Sequence, residues 1–111
     1  GANRLSEVQL VKEKNIMNRF MKEVLSTKGN LATYGLKQIE MALEMGAVDH
    51  LLVSEDFEKM PNVEPGTVKR LGEIAGKSKA TVTIISTDSE EGISLQKAFG
   101  GLAAMLRYPI S

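Results

Sequence analysis

Residues Thr81 to Tyr108 constrain the fold more than any other stretch of this chain. They read as a complete strand–helix–strand unit. Thr81 to Ser86 is short and rich in β-branched residues, as a buried strand is. Thr87 and Asp88 are both helix N-cap types, and Glu90 and Glu91 stand three positions after them. That is a capping-box pattern in two adjacent frames. The acidic pair also suits the positive end of a helix dipole. Gly100-Gly101 then stops the helix, because glycine accepts the left-handed backbone of a helix exit. Leu102 to Leu106 is an unbroken apolar run, and a strand without polar alternation is one covered on both faces.

The rest of the chain repeats this alternation of helix and strand. Val8 to Leu25 predicts a long helix whose apolar stripe is Leu10, Met17, Phe20, Met21, Val24 and Leu25. Lys12, Glu13, Lys14, Arg19, Lys22 and Glu23 fill its polar face, and Gly29-Asn30 ends it. Leu31 to Tyr34 reads as a short apolar connector. Leu36 to Met45 predicts a second helix with Leu36, Ile39 and Leu43 on one stripe. Gly46 sits at the helix exit, with Val48 placed for the accompanying hydrophobic contact. His50 to Ser54 is a short buried strand, and Phe57 to Gly66, holding two of the three prolines, is a loop. Thr67 to Lys77 predicts a third helix with Val68, Leu71 and Ala75 inward. Helices alternating with apolar strands give an α/β fold, a three-layer α/β/α sandwich with a small mixed sheet flanked by helices.

With 111 residues, one domain is expected. Gly1-Ala2 before Asn3, without an initiator Met, reads as a remnant of cleavage. Residues 1–6 are accordingly expected to be a remnant or linker, 7–111 the domain, and the chain a piece of something longer. The 14 basic and 14 acidic residues balance, whereas a dedicated nucleic-acid module carries a basic surplus. The chain has no cysteine, so disulfides and thiolate metal sites are excluded. No apolar run approaches the roughly 20 residues of a membrane span, and no signal peptide is visible. A soluble cytoplasmic protein is the simplest expectation.

Catalytic signatures are missing. Nucleophile elbows, Walker glycine loops and His-Glu-x-x-His pairs do not occur. Ser54-Glu55-Asp56 puts acids at a strand end, where α/β sheets bind ligands, but it also reads as a solvated loop start. An unknown enzyme built on that cluster is a minor alternative. His50 beside Asp49 lacks an evident nucleophile or second base and is expected at the surface or a sheet edge. Gly100-Gly101 follows a helix, whereas phosphate sites use helix N-termini. Of the six methionines, most are expected in the core, with about one in three at a partner surface.

A set of segments carries a family resemblance: Tyr34-Gly35; Ala42-Leu43-Glu44-Met45-Gly46-Ala47-Val48-Asp49; Leu51-Leu52-Val53-Ser54-Glu55; Ser86-Thr87-Asp88-Ser89-Glu90-Glu91-Gly92; and Phe99-Gly100-Gly101-Leu102-Ala103-Ala104-Met105-Leu106-Arg107-Tyr108. In this order and spacing, from about Lys14 to Tyr108, the chain resembles the C-terminal domain of the archaeal and eukaryotic class-1 peptide chain release factor, subunit 1. The wording favours the archaeal branch. The resemblance implies a factor of three domains acting in translation termination. One domain decodes through Asn-Ile-Lys-Ser, and one releases the peptide through Gly-Gly-Gln. Neither motif is present: Asn15-Ile16-Met17-Asn18 only echoes the first, and Leu102 follows Gly100-Gly101. The implied role is therefore non-catalytic and without a cofactor. It is the docking of a translational GTPase (elongation-factor-type or class-2 release factor) and of the ABC-type ribosome-recycling ATPase, with ribosome contact through the full-length protein. A monomer is expected.

The resemblance also implies positions. The GTPase-facing apolar residues map to Phe20, Met21, Leu31 and Tyr34, with Phe20 and Tyr34 readable as core residues as well. Many archaeal relatives carry a cysteine-bearing zinc minidomain after the first buried strand, where this chain has only the short stretch from Phe57 to Gly66. Two alternatives stay open. The C-terminal domain of the Pelota ribosome-rescue factor shares the fold and the Gly-Gly-Leu-Ala-Ala-like strand, though it tends to have a His-Glu run where this chain has Thr87 to Glu91. An RNA-binding module of the kink-turn type is similar in fold, but its Gly-Asn-Glu motif is replaced by Gly35-Leu36-Lys37-Gln38. Lys37, Lys69, Arg70, Lys77 and Lys79 remain available for salt-dependent phosphate contacts.

Overall fold

The protein is described here by a computed structural model covering residues 7–26, 31–61 and 63–109. In chain order the elements are α1 (Glu7–Leu25), β1 (Ala32–Tyr34), α2 (Leu36–Glu44), β2 (Val48–Ser54), a 3-10 turn (Phe57–Lys59), α3 (Thr67–Lys77), β3 (Thr81–Ile85), α4 (Glu90–Phe99) and β4 (Leu102–Leu106). The strands form one mixed sheet in the order β1-β4-β2-β3. β4 is antiparallel to both β1 and β2, whereas β3 is parallel to β2. The expected end of α1 at Gly29-Asn30 and the expected remnant at 1–6 lie outside the described residues.

Two apolar layers enclose the sheet. Ile39 and Leu43 of α2 and Leu71 and Ala75 of α3 pack with Leu51, Val53, Leu102 and Ala104. Met17 and Phe20 of α1 and Leu95 of α4 pack with Leu52, Ile85, Ala103 and Met105. Successive strand residues point to opposite faces, so every β4 side chain is buried on one face or the other. That is the three-layer α/β/α sandwich. Burying a Leu or Phe side chain contributes about 1.5–3 kcal/mol, which is why both helical layers stay attached. Among the described residues no helix is long and apolar enough to cross a membrane.

β2 carries a bulge: Val48 faces Leu106 while His50 faces Met105, leaving Asp49 as the extra residue. The shift puts Val48 in the same layer as Leu51 and Val53 despite its even number. The strand starts two residues earlier than the expected His50.

Glycine ends two helices as predicted. Gly46 has φ +70; its N–H donates to Leu43 O at 3.0 Å and that of Ala47 to Ala42 O at 2.9 Å. These are the paired bonds of a Schellman exit. The hydrophobic partner position is Ala47, one residue before the expected Val48. Gly100 (φ +69) and Gly101 (φ +83) take the left-handed backbone after α4.

Several expectations change. β3 is an edge strand, not a buried one; Val82 and Ile84 are exposed and Ile85 alone of its residues is buried. β-branched residues report fit to a pleated surface rather than burial. Within the connector at 31–34, Ala32–Tyr34 is strand β1, the other edge. On α1, Leu10 and Leu25 are exposed, and Glu13 is buried on the inner stripe with Met17 and Phe20. The cap of α4 is Ser89, whose Oγ accepts the Gly92 N–H at 3.0 Å. No capping box forms, because Gly92 occupies the third helical position and has no side chain to return the bond. Glu58, expected in a loop, lies in the 3-10 turn, and its carboxylate accepts the N–H groups of Gly66 (3.1 Å) and Val68 (2.8 Å) at the start of α3.

Candidate functional site

An aromatic stack links α1, α4 and β1. The Phe20 and Phe99 rings meet edge-on, centroids 5.0 Å apart, and Phe99 meets Tyr34 the same way at 5.1 Å. Each edge-to-face pair adds about 0.5–1.5 kcal/mol to simple burial. The stack runs from the interior to the surface: Phe20 is fully buried, Phe99 partly, and Tyr34 is 50% exposed. Period-two alternation along β1 decides this. Ala32 packs on the α1/α4 layer, and Tyr34, two residues on, shares its face.

Of the four positions mapped from the resemblance, three converge here. Phe20 has no surface to offer a partner; it holds Phe99, and through it Tyr34. Met21 is half-buried against the same layer. It also borders a shallow depression of about 180 Å³ with Met17, Asn18, Glu90, Glu91 and Ser94. Leu31 does not join them. It precedes β1 and packs against the α2/α3 layer instead, on the face opposite Ala32 and Tyr34. The depression thus combines methionines with two carboxylates at the start of α4. Of the six methionines, Met17 and Met105 are buried, Met21 and Met60 partly so, and Met41 and Met45 are about half exposed.

His50 differs from expectation. It lies on an interior strand, half-buried, with Nε2 2.6 Å from Thr83 Oγ1. Burial lowers its pKa from the ordinary 6.5, the neighbouring Asp49 carboxylate raises it, and Arg19 lowers it further. The acidic strand end is a hydrogen-bonded corner. Ser54 Oγ accepts the Asp56 N–H at 3.2 Å. The Thr87 hydroxyl stands 2.9 Å from Glu55 Oε1 and 3.1 Å from Asp56 Oδ2, and Lys59 Nζ is 3.1 Å from Asp56 Oδ1. The bonds from Lys59 and Thr87 hold the Asp56 carboxyl below its usual range. Thr87, expected as a cap, instead ties the start of α4 to the end of β2.

Comparison with known proteins bears on this geometry. The family described as eRF1 domain 3 matches residues 10–110. Peptide chain release factor subunit 1 of Archaeoglobus fulgidus is 40% identical over 94% of this chain and 34% of its own length; the chain thus spans about a third of that curated relative. The match runs over 139 residues, more than the 111 of this chain, so the relative carries residues that this chain lacks. Among solved structures, the C-terminal domain of the peptide chain release factor from Methanosarcina mazei superposes with a TM-score of 0.82, at 29% identity, covering 92% of this chain and 85% of that one. Archaeal Pelota, from a description of ribosome-bound Pelota and ABCE1, gives 0.78 at 32% identity over 93% of this chain and 28% of that one.

Proposed function

Because the chain belongs to the eRF1 domain 3 family, we propose that it is the non-catalytic, protein-docking C-terminal domain of a peptide chain release factor. In translation termination it would bind a translational GTPase, and afterwards the ABC-type ATPase that recycles ribosomes. The observation that carries the reading is the aromatic stack. An exposed tyrosine, fixed by two phenylalanines behind it, loses little conformational freedom on binding, and rigid aromatic anchors dominate interface energetics. Met21 and the depression beside it supply adaptable apolar contact. Glu90 and Glu91 add negative charge that a basic partner surface would complement.

A Pelota-type rescue factor is the second reading, favoured by the TM-score of 0.78 with archaeal Pelota. The 40% identity with a release factor subunit 1 supports the first reading. The presence of Gly-Gly-Gln in the full-length gene discriminates the two.

The test is a calorimetric titration of this domain with the elongation-factor-type GTPase loaded with a GTP analogue. Saturable binding that Tyr34→Ala and Met21→Asp weaken supports the reading. A folded domain that does not bind, or binds with both substitutions ignored, overturns this assignment of the docking surface.

A further inference from the structure

On the opposite flank of α1 from the aromatic stack, a groove of about 650 Å³ lies between the helix and β3. β3 is an edge strand, and the direction of its free edge follows from two hydrogen bonds. Ile85 O accepts the Glu55 N–H at 3.0 Å, so the backbone groups of odd-numbered β3 residues face β2. Those of Val82 and Ile84 therefore face outward, and both residues line the groove. The next outward N–H, that of Ser86, is taken by the Glu13 carboxylate at 3.0 Å. The fold thus places a carboxylate where a further strand's carbonyl would stand, and the edge left free among the described residues begins just beyond it.

The groove is electropositive. Lys12 and Arg19 border it and no acidic residue lines it. Among the described residues Lys12 makes no ion pair, and Arg19 has only Asp49 at 3.4 Å, with both side chains well exposed. Unpaired edge backbone templates an added strand, and the cations select its side chains. A second copy is a poor occupant, since pairing two β3 edges about a two-fold axis would bring like-charged grooves together.

We propose that the α1/β3 groove receives an extended acidic segment of a partner protein, added as a strand along Val82–Ile84 with its carboxylates toward Lys12 and Arg19. This surface is separate from the Tyr34 face, and its test stands whether or not that face docks a GTPase.

The probe is a short peptide alternating valine with glutamate, titrated at low salt and followed by amide chemical shifts and fluorescence anisotropy. The control peptide replaces glutamate with glutamine. The expected result is binding of the glutamate peptide, with shifts centred on Val82, Thr83 and Ile84, weakened by added salt. The double variant Lys12→Glu/Arg19→Glu weakens it about tenfold, the order expected of two exposed ion pairs. Val82→Pro removes an outward N–H at an edge position that tolerates proline and abolishes binding in a chain that remains folded. Should Val82→Pro unfold the chain, the charge-reversal pair carries the test. Binding of neither peptide, equal binding of both, shifts centred elsewhere, or dimerisation of the domain through β3 would each overturn the proposal.

Discussion

The carboxylate of Glu13, on the first helix, accepts the backbone N–H of Ser86 at 3.0 Å, across 73 positions of sequence. Its other oxygen accepts the Gln9 side-chain amide at 3.0 Å. A buried acid is costly unless its lone pairs are used, and here both oxygens are. The bond fastens α1 to the end of β3, where the parallel ladder with β2 stops and the strand turns toward α4.

Removing that carboxylate leaves the Ser86 N–H buried without a partner. Glu13→Ala is expected to cost about 2 kcal/mol, the range for an orphaned buried donor. Glu13→Gln keeps an acceptor and should cost less than half as much. Urea denaturation of the two variants checks the ordering; equal losses would mean that packing, rather than the hydrogen bond, is what Glu13 provides.

Among the described glycines, Gly92 has the least room. A Cβ there would lie 1.7 Å from the Ser86 carbonyl oxygen, a backbone atom that cannot step aside. Gly92→Ala is expected to destabilise the domain by about 3 kcal/mol, at the upper end for overpacking. Gly72, inside α3, meets nothing within 4 Å. Gly72→Ala should instead stabilise by roughly 0.5–1 kcal/mol through helix propensity. Opposite shifts in the denaturation midpoint check the pair.

The aromatic stack separates stability from binding. Phe20→Ala empties a fully buried position and is expected to cost about 3–5 kcal/mol. Tyr34→Ala removes a half-exposed ring and should cost about 1 kcal/mol of stability, mainly the edge-to-face contact with Phe99. Its larger effect is expected on partner affinity, by about 2 kcal/mol or some thirtyfold, read by calorimetry.

His50 makes stability depend on pH. Its pKa in the folded domain lies below the ordinary 6.5, chiefly through burial. The unfolded chain therefore binds the proton more readily, and stability rises with pH through this window. The contribution is fully present above about pH 6.5 and is lost as pH falls toward the lower folded value. His50→Gln should flatten that part of the profile in urea midpoints measured between mildly acidic and mildly basic buffer; an unchanged profile would assign the dependence to another group.

Much of the architecture was legible because it is local. β4 announced itself through five apolar residues with no alternation, and its place between β1 and β2 is what such a run requires. The exit of α2 at Gly46 and that of α4 at Gly100 followed from glycine's tolerance of positive φ. Other features were local in form but settled by neighbours. Three residues at 32–34 are too short to show a strand period, so β1 read as a connector. Thr87, Asp88 and Ser89 are three cap types in a row; Ser89 won because Thr87 is drawn to Glu55 and Asp56, and the Asp88 N–H to Ser86 Oγ. The candidate site was half legible: Phe20, Met21 and Tyr34 share one side of the sheet, while Leu31, just before β1, packs on the other.

By itself the sequence determined which segments become helices, three of the four strands, and the family to which they belong, since periodicity, glycine exits and segment order are properties of neighbours along the chain. Tertiary structure alone decided that β3 is an edge, that Glu13 is buried, and that Tyr34 stands exposed on a phenylalanine stack. Each of these depends on partners dozens of residues away. A threonine- and isoleucine-rich strand, or a glutamate beside two lysines, reads the same whether the sheet ends there or continues.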